Sequence, residues 1–285
     1  MGMFTLVPLE EKPIEPVRFV EKFKIQNIVC FFSGGKDSMV STHYTLSKLG
    51  NIELNKYVLW IDTTVMLPVV GRFVRKVARE FGWSLVVVRP EKDFEDYALR
   101  FGAPTMFRRW CCYYLKLRPA FNFLKSLKGR TAEVLGLRWD ESARRRRYPP
   151  VFLRKETKTY CYCPIVSWSE REVSEYISRN GLPLPPWYSL GINETCVCGA
   201  FSSYGEIKKT CALFPEFFKR FVEMEKKFRS GGAAFFLKGR PYYAREIWEE
   251  VHNSNDSENR RGASSPKIRV FKGDFYATAE EGCGR

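Results

Sequence analysis

The chain has 285 residues, 45% hydrophobic and 28% charged, the composition of a folded globular protein rather than a disordered or fibrous one. Lys and Arg number 47 against 32 Asp and Glu, a formal charge of +15, so anionic partners such as nucleotides or nucleic acid are expected. No apolar run reaches the roughly 18 residues of a membrane helix and the start lacks the basic and apolar blocks of a signal peptide, so a soluble, cytoplasmic protein is expected.

Residues 1–22 read as a proline-punctuated lead-in. Asn27 to Phe32 is a short apolar run ending at Ser33-Gly34-Gly35, the pattern of a buried strand. Tyr57 to Ile61, ending at Asp62, and Leu85 to Val88 repeat it. Between those two, Val70, Phe73, Val74, Val77 and Phe81 recur at helical spacing with Arg72, Arg75, Lys76 and Arg79 on the other side. Ala132 to Leu137 and Tyr160 to Val166 supply two further strand candidates. Ser169-Glu170-Arg171-Glu172 is a capping box for a helix that Asn180-Gly181 closes. The alternation predicts an α/β fold: a doubly wound, mostly parallel, Rossmann-like sheet covered on both faces. The expected organisation is a lead-in over 1–22, a nucleotide-binding α/β domain over 23–190, a Cys-containing helical appendage over 191–252, and a flexible linker and tail over 253–285.

Ser33-Gly34-Gly35-Lys36-Asp37-Ser38 follows the first strand and opens a helix, where unpaired N–H groups and the helix dipole favour an anion. Two glycines allow close backbone approach, Ser33 and Ser38 bring hydroxyl donors, and Lys36 brings charge. It is not a Walker A loop, since Asp37 stands where that motif has Ser or Thr. A plain glycine turn is the bland alternative.

On these residues the chain resembles the adenine-nucleotide alpha-hydrolase (PP-loop ATP pyrophosphatase) superfamily. Gly102-Ala103-Pro104, Arg109-Trp110-Cys111-Cys112 and Leu115-Lys116 are similar to the Cys-Cys segment of phosphoadenylyl-sulfate (PAPS) and adenylyl-sulfate (APS) reductases. Gly136-Leu137-Arg138 with Glu141-Ser142 and Arg144 resembles their second substrate segment, and Pro164 to Trp168 the strand and helix start that follow. The resemblance spans about residues 27 to 230 and implies an adenine nucleotide across the carboxyl ends of the strands. Asp62 would face the nucleoside, or instead cap the next turn. Lys116, Arg138 and Arg144, with Gly136 beside them, would face the anionic end. The intact Ser-Gly-Gly-Lys-Asp-Ser also resembles members that split ATP, including adenylylating sulfurtransferases acting on tRNA or DNA.

Nine cysteines in a reduced compartment point to metal binding, catalysis or burial before disulfides. Cys111-Cys112 with Cys196-Val197-Cys198 resembles the four-thiolate set that holds a [4Fe–4S] cluster in APS-type reductases, with one residue between the later pair where the family has two. Zinc on Cys161, Cys163, Cys196 and Cys198, with Cys211 nearby, and plain buried thiols are the competing readings. Cys283, in Glu281-Gly282-Cys283-Gly284, resembles the reductases' near-terminal Cys and is the candidate attacking thiol; an idle surface thiol is the alternative. Arg144 to Arg147 is a solvated face, a phosphate grip or a nucleic-acid grip. Trp187 and Tyr188 stack on a base or close a core, and His43 and His252 are structural.

The expected activity is thiol-dependent reduction of APS or PAPS to sulfite and adenosine phosphate, with a thioredoxin-like reductant as partner. ATP-dependent adenylylation with sulfur transfer to tRNA or DNA is the alternative, and a metal-stapled nucleic-acid-binding module without catalysis is the third reading.

Overall fold

The computed structural model describes residues 6–260 apart from 194, 229 and 230. Seven strands, β1 (Leu6–Glu10), β2 (Asn27–Phe31), β3 (Asn55–Ile61), β4 (Leu85–Val88), β5 (Thr131–Val134), β6 (Val151–Arg154) and β7 (Thr159–Tyr162), form one sheet in the order β1-β6-β7-β5-β2-β3-β4. β7, β5, β2, β3 and β4 are parallel, and β6 runs against both its neighbours. The mostly parallel, Rossmann-like α/β sheet expected from the alternation of elements is the one found. Two strands of this sheet were not foreseen. β1 contains Pro8 and lies in the lead-in, yet it is an edge strand, where a missing N–H is tolerated. β6 has four residues directly after Pro149-Pro150, too short for a legible pattern.

The connecting helices are α1 (Pro16–Phe23), α2 (Lys36–Leu49), α3 (Pro68–Glu80), α4 (Phe94–Phe101), α5 (Arg118–Ser126) and α6 (Glu170–Arg179). Alternation along β2 divides the core. Ile28 and Cys30 join the large cluster with residues of α1, α2, α3 and α6, while Val29 packs with Leu59 against Ala120 and Leu124 of α5. At the amino edge of the sheet, the buried Asn27 amide donates to Lys128 O (2.8 Å) and Thr131 Oγ1 (3.0 Å) and accepts from Asn55 Nδ2 (2.8 Å). It ties β5, β2 and β3 in register with its own amide fully paired.

The chain continues through α7 (Tyr204–Leu213), α8 (Pro215–Lys226), a hairpin of β8 (Phe235–Leu237) and β9 (Arg240–Tyr242), and α9 (Ala244–Arg260). Phe218, Phe221 and Phe235 belong to the same continuous core as the sheet. Arg220 of α8 pairs with Glu95 of α4 and donates to Thr64 O (2.7 Å). α9 runs past residue 253, where the tail was placed, and residues 261–285, with Cys283, lie outside the described residues.

The sheet order fixes where a ligand sits. From β2 the chain moves outward to β3 and β4, then returns to the other side of β2 as β5. The carboxyl ends of β2 and β5 therefore border the crevice at the reversal point, the usual ligand position in open parallel sheets.

Candidate active site

The predicted phosphate loop leaves β2 at that crevice and opens α2 with Gly35 as the residue before the first turn. Its serines shape it. The Ser33 and Ser38 hydroxyls lie 3.0 Å apart, the Ser33 N–H donates to Ser38 Oγ (3.2 Å), and Ser38 Oγ donates to Gly35 O (2.8 Å). Gly34 has φ +87°, a conformation that side chains disfavour, and its α-carbon faces the Trp187 ring. Trp187 is fully buried and Tyr188 Oη accepts from the Lys36 N–H at 3.4 Å. Both aromatics thus back the loop. Gly136, just after β5, lies under it: a β-carbon there would stand 2.7 Å from Asp37 O and 2.8 Å from Ser38 N.

Arg138 was expected to face the anionic end of a nucleotide. Its side chain is 4% exposed, with Nε on Asp37 Oδ1 (2.8 Å), Nη2 on Glu170 Oε2 (2.7 Å) and Nη1 3.6 Å from Asp140 Oδ2. Lys36 pairs with Glu170 as well. Arg138 therefore braces the start of α2 against α6, with the other acids gathered around it. Burial works against the Glu170 carboxylate, but the hydrogen bond and charge of Lys36, and then those of Arg138, outweigh it and hold its pKa below the ordinary 4.5. A group lowered on folding adds stability above its ordinary value and loses it as pH falls through the lowered one. Glu170→Gln should therefore lower the urea midpoint by a constant amount well above the ordinary value of 4.5, and the difference should shrink as the pH falls below it. A difference that persists unchanged at pH 3 would show that the carboxylate charge is not what acts.

Arg144 is exposed, before a single 3-10 turn over Arg145–Arg147, and Arg145 pairs with Glu141. Arg146 lines an open cleft with Trp139, Asp140, Ser167 and Ser169 beside the Arg138 network. Asp62, at the end of β3, accepts from the Thr64 N–H (3.0 Å) and pairs with Arg89 Nε (3.0 Å). It shapes the turn that follows the strand.

The next residue, Thr63, opens onto the second part of the site. Cys111, Cys112, Cys196 and Cys198 line one cleft together with Thr63, Leu115, Lys116 and Phe201. Cys112 and Lys116 reach it from a π-helical turn, Cys112–Leu117, a widened geometry common at functional sites. The later pair is held from below: Leu67 N donates to Thr195 O and Val197 N to Val65 O, each at 2.9 Å, around a Met66–Cys196 bridge. The Cys111 thiol donates to Cys198 Sγ at 3.7 Å. Mutual hydrogen bonding, then burial, pushes Cys111 and Cys198 up to about 12 and Cys196 well up, while the bond from Cys111 lowers Cys112, with the charge of Lys116 helping. Among the described residues, no group of three or more His, Cys, Asp or Glu is set as a metal site. The four thiols nevertheless converge on one cleft, and as a donor set they suit a four-thiolate group.

The competing zinc set does not come together. Cys161 and Cys163 pack with Phe152 and Val166 in a separate cluster, whereas Cys196 and Cys198 lie in the main core with Cys111. Cys211 is buried on α7. His43 and His252 are structural in position, His43 Nδ1 bonding Tyr176 Oη (2.9 Å) and His252 stacking on Trp248.

Thr63 escaped the sequence reading. It is 1% exposed, and its hydroxyl has no hydrogen-bond partner among the described residues although it edges a cleft of thiols. A buried, unpaired hydroxyl costs stability unless a ligand satisfies it. Nothing in Asp62-Thr63-Thr64 marks one threonine over the other.

The architecture and the loop have counterparts among known proteins. The chain is 30% identical over 228 residues to an uncharacterised protein of Methanocaldococcus jannaschii, covering 77% of this chain and 53% of that one. A second uncharacterised protein of that organism is 27% identical, with 73% and 43% covered, so the chain spans about half the length of these relatives. Adenosine 5'-phosphosulfate reductase 2 of Bacillus subtilis is 26% identical over 161 residues, 55% of this chain and 65% of that one. The crystal structure of PAPS reductase from Candida auris shares the fold at a TM-score of 0.50 and 21% identity, covering 66% of this chain and 88% of that one. No helix among the described residues is long and apolar enough to cross a membrane. The phosphoadenosine phosphosulfate reductase domain model matches residues 27–230, from the first residue of β2 to beyond α8, and the chain belongs to that family.

Proposed function

We propose that the protein binds an adenylyl sulfate, APS or PAPS, and releases sulfite and adenosine phosphate by a thiol-dependent reduction. The observation that carries this reading is the position of the four-cysteine cleft: Asp62 and Thr63 lead directly from the nucleotide crevice to Cys111, Cys112, Cys196 and Cys198. In this reading the N–H groups of Gly35 and Lys36, which donate to Ser33 Oγ and Tyr188 Oη at a long 3.4 Å, turn to hold the phosphate, with Gly136 keeping the loop in place and Lys36 adding charge. Lys116 neutralises the sulfonate end beside the cleft, and Arg144, exposed on its turn, closes over the anion. Arg138 positions Asp37 and leaves anion contact to these others.

The bond change balances with one external reductant. A protein thiolate, proposed to be Cys283, attacks the sulfonate sulfur, forming an S–S bond as the S–O bond to the phosphate breaks and adenosine phosphate departs with the electron pair. A dithiol protein of thioredoxin type then supplies two electrons, releasing sulfite and regenerating the thiol. The four cleft thiols are proposed to hold a [4Fe–4S] cluster, which when bound supplies electrostatic and redox tuning to the cleft.

The intact Ser33–Ser38 loop favours a second reading, in which ATP is split to pyrophosphate and an adenylylated acceptor, tRNA or DNA, that then takes sulfur. The two readings separate in one assay. Anaerobically purified protein is incubated with APS, PAPS or ATP, and sulfite and pyrophosphate are measured independently. Sulfite from APS or PAPS in the presence of a dithiol is the expected result. Pyrophosphate from ATP, without sulfite from either sulfonucleotide, would replace the first reading by the second.

A further inference from the structure

Between Asp96 and Glu133 the chain carries no acidic residue in 36 positions and eight basic ones: Arg100, Arg108, Arg109, Lys116, Arg118, Lys125, Lys128 and Arg130. The middle of this stretch forms one rim of the cysteine cleft, and beside the exposed Met106 it presents aromatic rings and arginines. Phe107 is 87% exposed and Tyr113 44%, while Phe201, 51% exposed, lines the cleft from the later cysteine segment. Interleaved with these stand Arg108 and Arg109, which pair with no carboxylate among the described residues, and Arg109 lies with its guanidinium 5.4 Å from the Phe201 ring centre.

An exposed phenylalanine on a slack loop carries little information. This one is on a fixed turn. Thr105 Oγ1 accepts from the Phe107 N–H (3.2 Å) and the Arg108 N–H (2.9 Å), and Thr105 N donates to Arg108 O (3.3 Å). The ring is therefore held out in water before any partner arrives, so little ordering entropy remains to be lost on contact. Tyr113 is fixed likewise by the π-helical turn and by its edge contact with Tyr114, ring centres 5.1 Å apart.

We infer that this rim binds single-stranded nucleic acid, with bases stacked on Phe107, Tyr113 and Phe201 and backbone phosphates held by Arg108 and Arg109. Aromatic faces separated by arginines, with no acidic side chain among them, fit a chain whose bases and phosphates alternate. An acidic protein surface would be served by the charges alone and gives no use to isolated rings between them. The inference concerns binding and holds whichever of the two reactions the cleft performs. It places a strand across the entrance to the thiols, with Lys116 inside.

The test is fluorescence anisotropy of the full chain with fluorescein-labelled oligouridylate and oligothymidylate of fifteen nucleotides, from 50 to 300 mM NaCl. Both should bind at 50 mM and weaken steeply with salt. Phe107→Ala and Tyr113→Ala, at exposed positions where folding is not at stake, should each weaken binding roughly tenfold with the salt slope unchanged. Arg108→Gln with Arg109→Gln should reduce the slope by about 1.4, or 0.7 for each single-strand phosphate released. No binding of either oligonucleotide at 50 mM NaCl would overturn the inference. So would binding that none of the four substitutions alters, or equal affinity for polyglutamate, which would make the rim a general polyanion surface. None of these outcomes bears on sulfite release from APS or PAPS, so this inference and the proposed reduction fail separately.

Discussion

Gly136→Ala should leave a folded protein with its nucleotide affinity reduced roughly tenfold or more, since displacing the binding groups by even a fraction of an ångström spoils their fit. The added methyl would stand 2.7–2.8 Å from the backbone of Asp37 and Ser38. Backbone cannot rotate aside as a side chain can, so the first turn of α2 must move by several tenths of an ångström. That turn holds the N–H groups proposed to bind the phosphate. Overpacking of this kind costs about 1–3 kcal/mol of stability, a fraction of what a domain of this size has to lose. Gly205→Ala supplies the control, since nothing lies within 4 Å of a β-carbon there and the position is helical, where alanine is favoured over glycine. Calorimetry with ATP and PAPS, with circular dichroism to confirm folding, decides the matter. An affinity for both nucleotides within twofold of the parent would show that the crevice between β2 and β5 is not where the phosphates bind.

The second large effect concerns the cleft. Anaerobically purified protein should be brown and contain about four iron and four acid-labile sulfide per chain, as a [4Fe–4S] cluster requires. Cys112→Ser and Cys198→Ser should each lose most of that iron and colour, because each removes one of the four proposed thiolate ligands. Cys161→Ser should keep both. Its side chain lies at the sheet, beside Arg154 and Glu133, with a core cluster of its own. Zinc without sulfide would replace the cluster by a single ion, and iron unaffected by Cys198→Ser would move the cluster away from this cleft.

What the sequence disclosed and what it hid follow from the range of the interactions involved. The turn from β2 into α2 was legible because its determinants are contiguous: an apolar strand, two glycines, two hydroxyls and a helix start within a dozen residues. The four cysteines could be grouped by resemblance, and the structure brings them to one cleft. Arg138 is the opposite case. Its identity and position gave no hint that Asp37, 101 residues earlier, and Glu170, 32 residues later, would take up its guanidinium. Trp187 admitted two readings, and only its contact with Gly34 selects the packing one. Thr63 had no signal, because an unpaired hydroxyl becomes informative only when it is known to be buried at the edge of a cleft lined with thiols.

The bridge between Met66 and Cys196 also sets an order of events during synthesis. Every strand of the main sheet precedes residue 163, so the sheet can close before the later cysteine segment exists. Cys111 and Cys112, by contrast, gain their partners only when Cys198 emerges, 86 residues after Cys112. At ordinary elongation rates that interval lasts roughly 4–17 s. Over those seconds two adjacent thiols are on the ribosome with half of their cleft missing, so a nascent chain is more vulnerable to oxidants than the finished one.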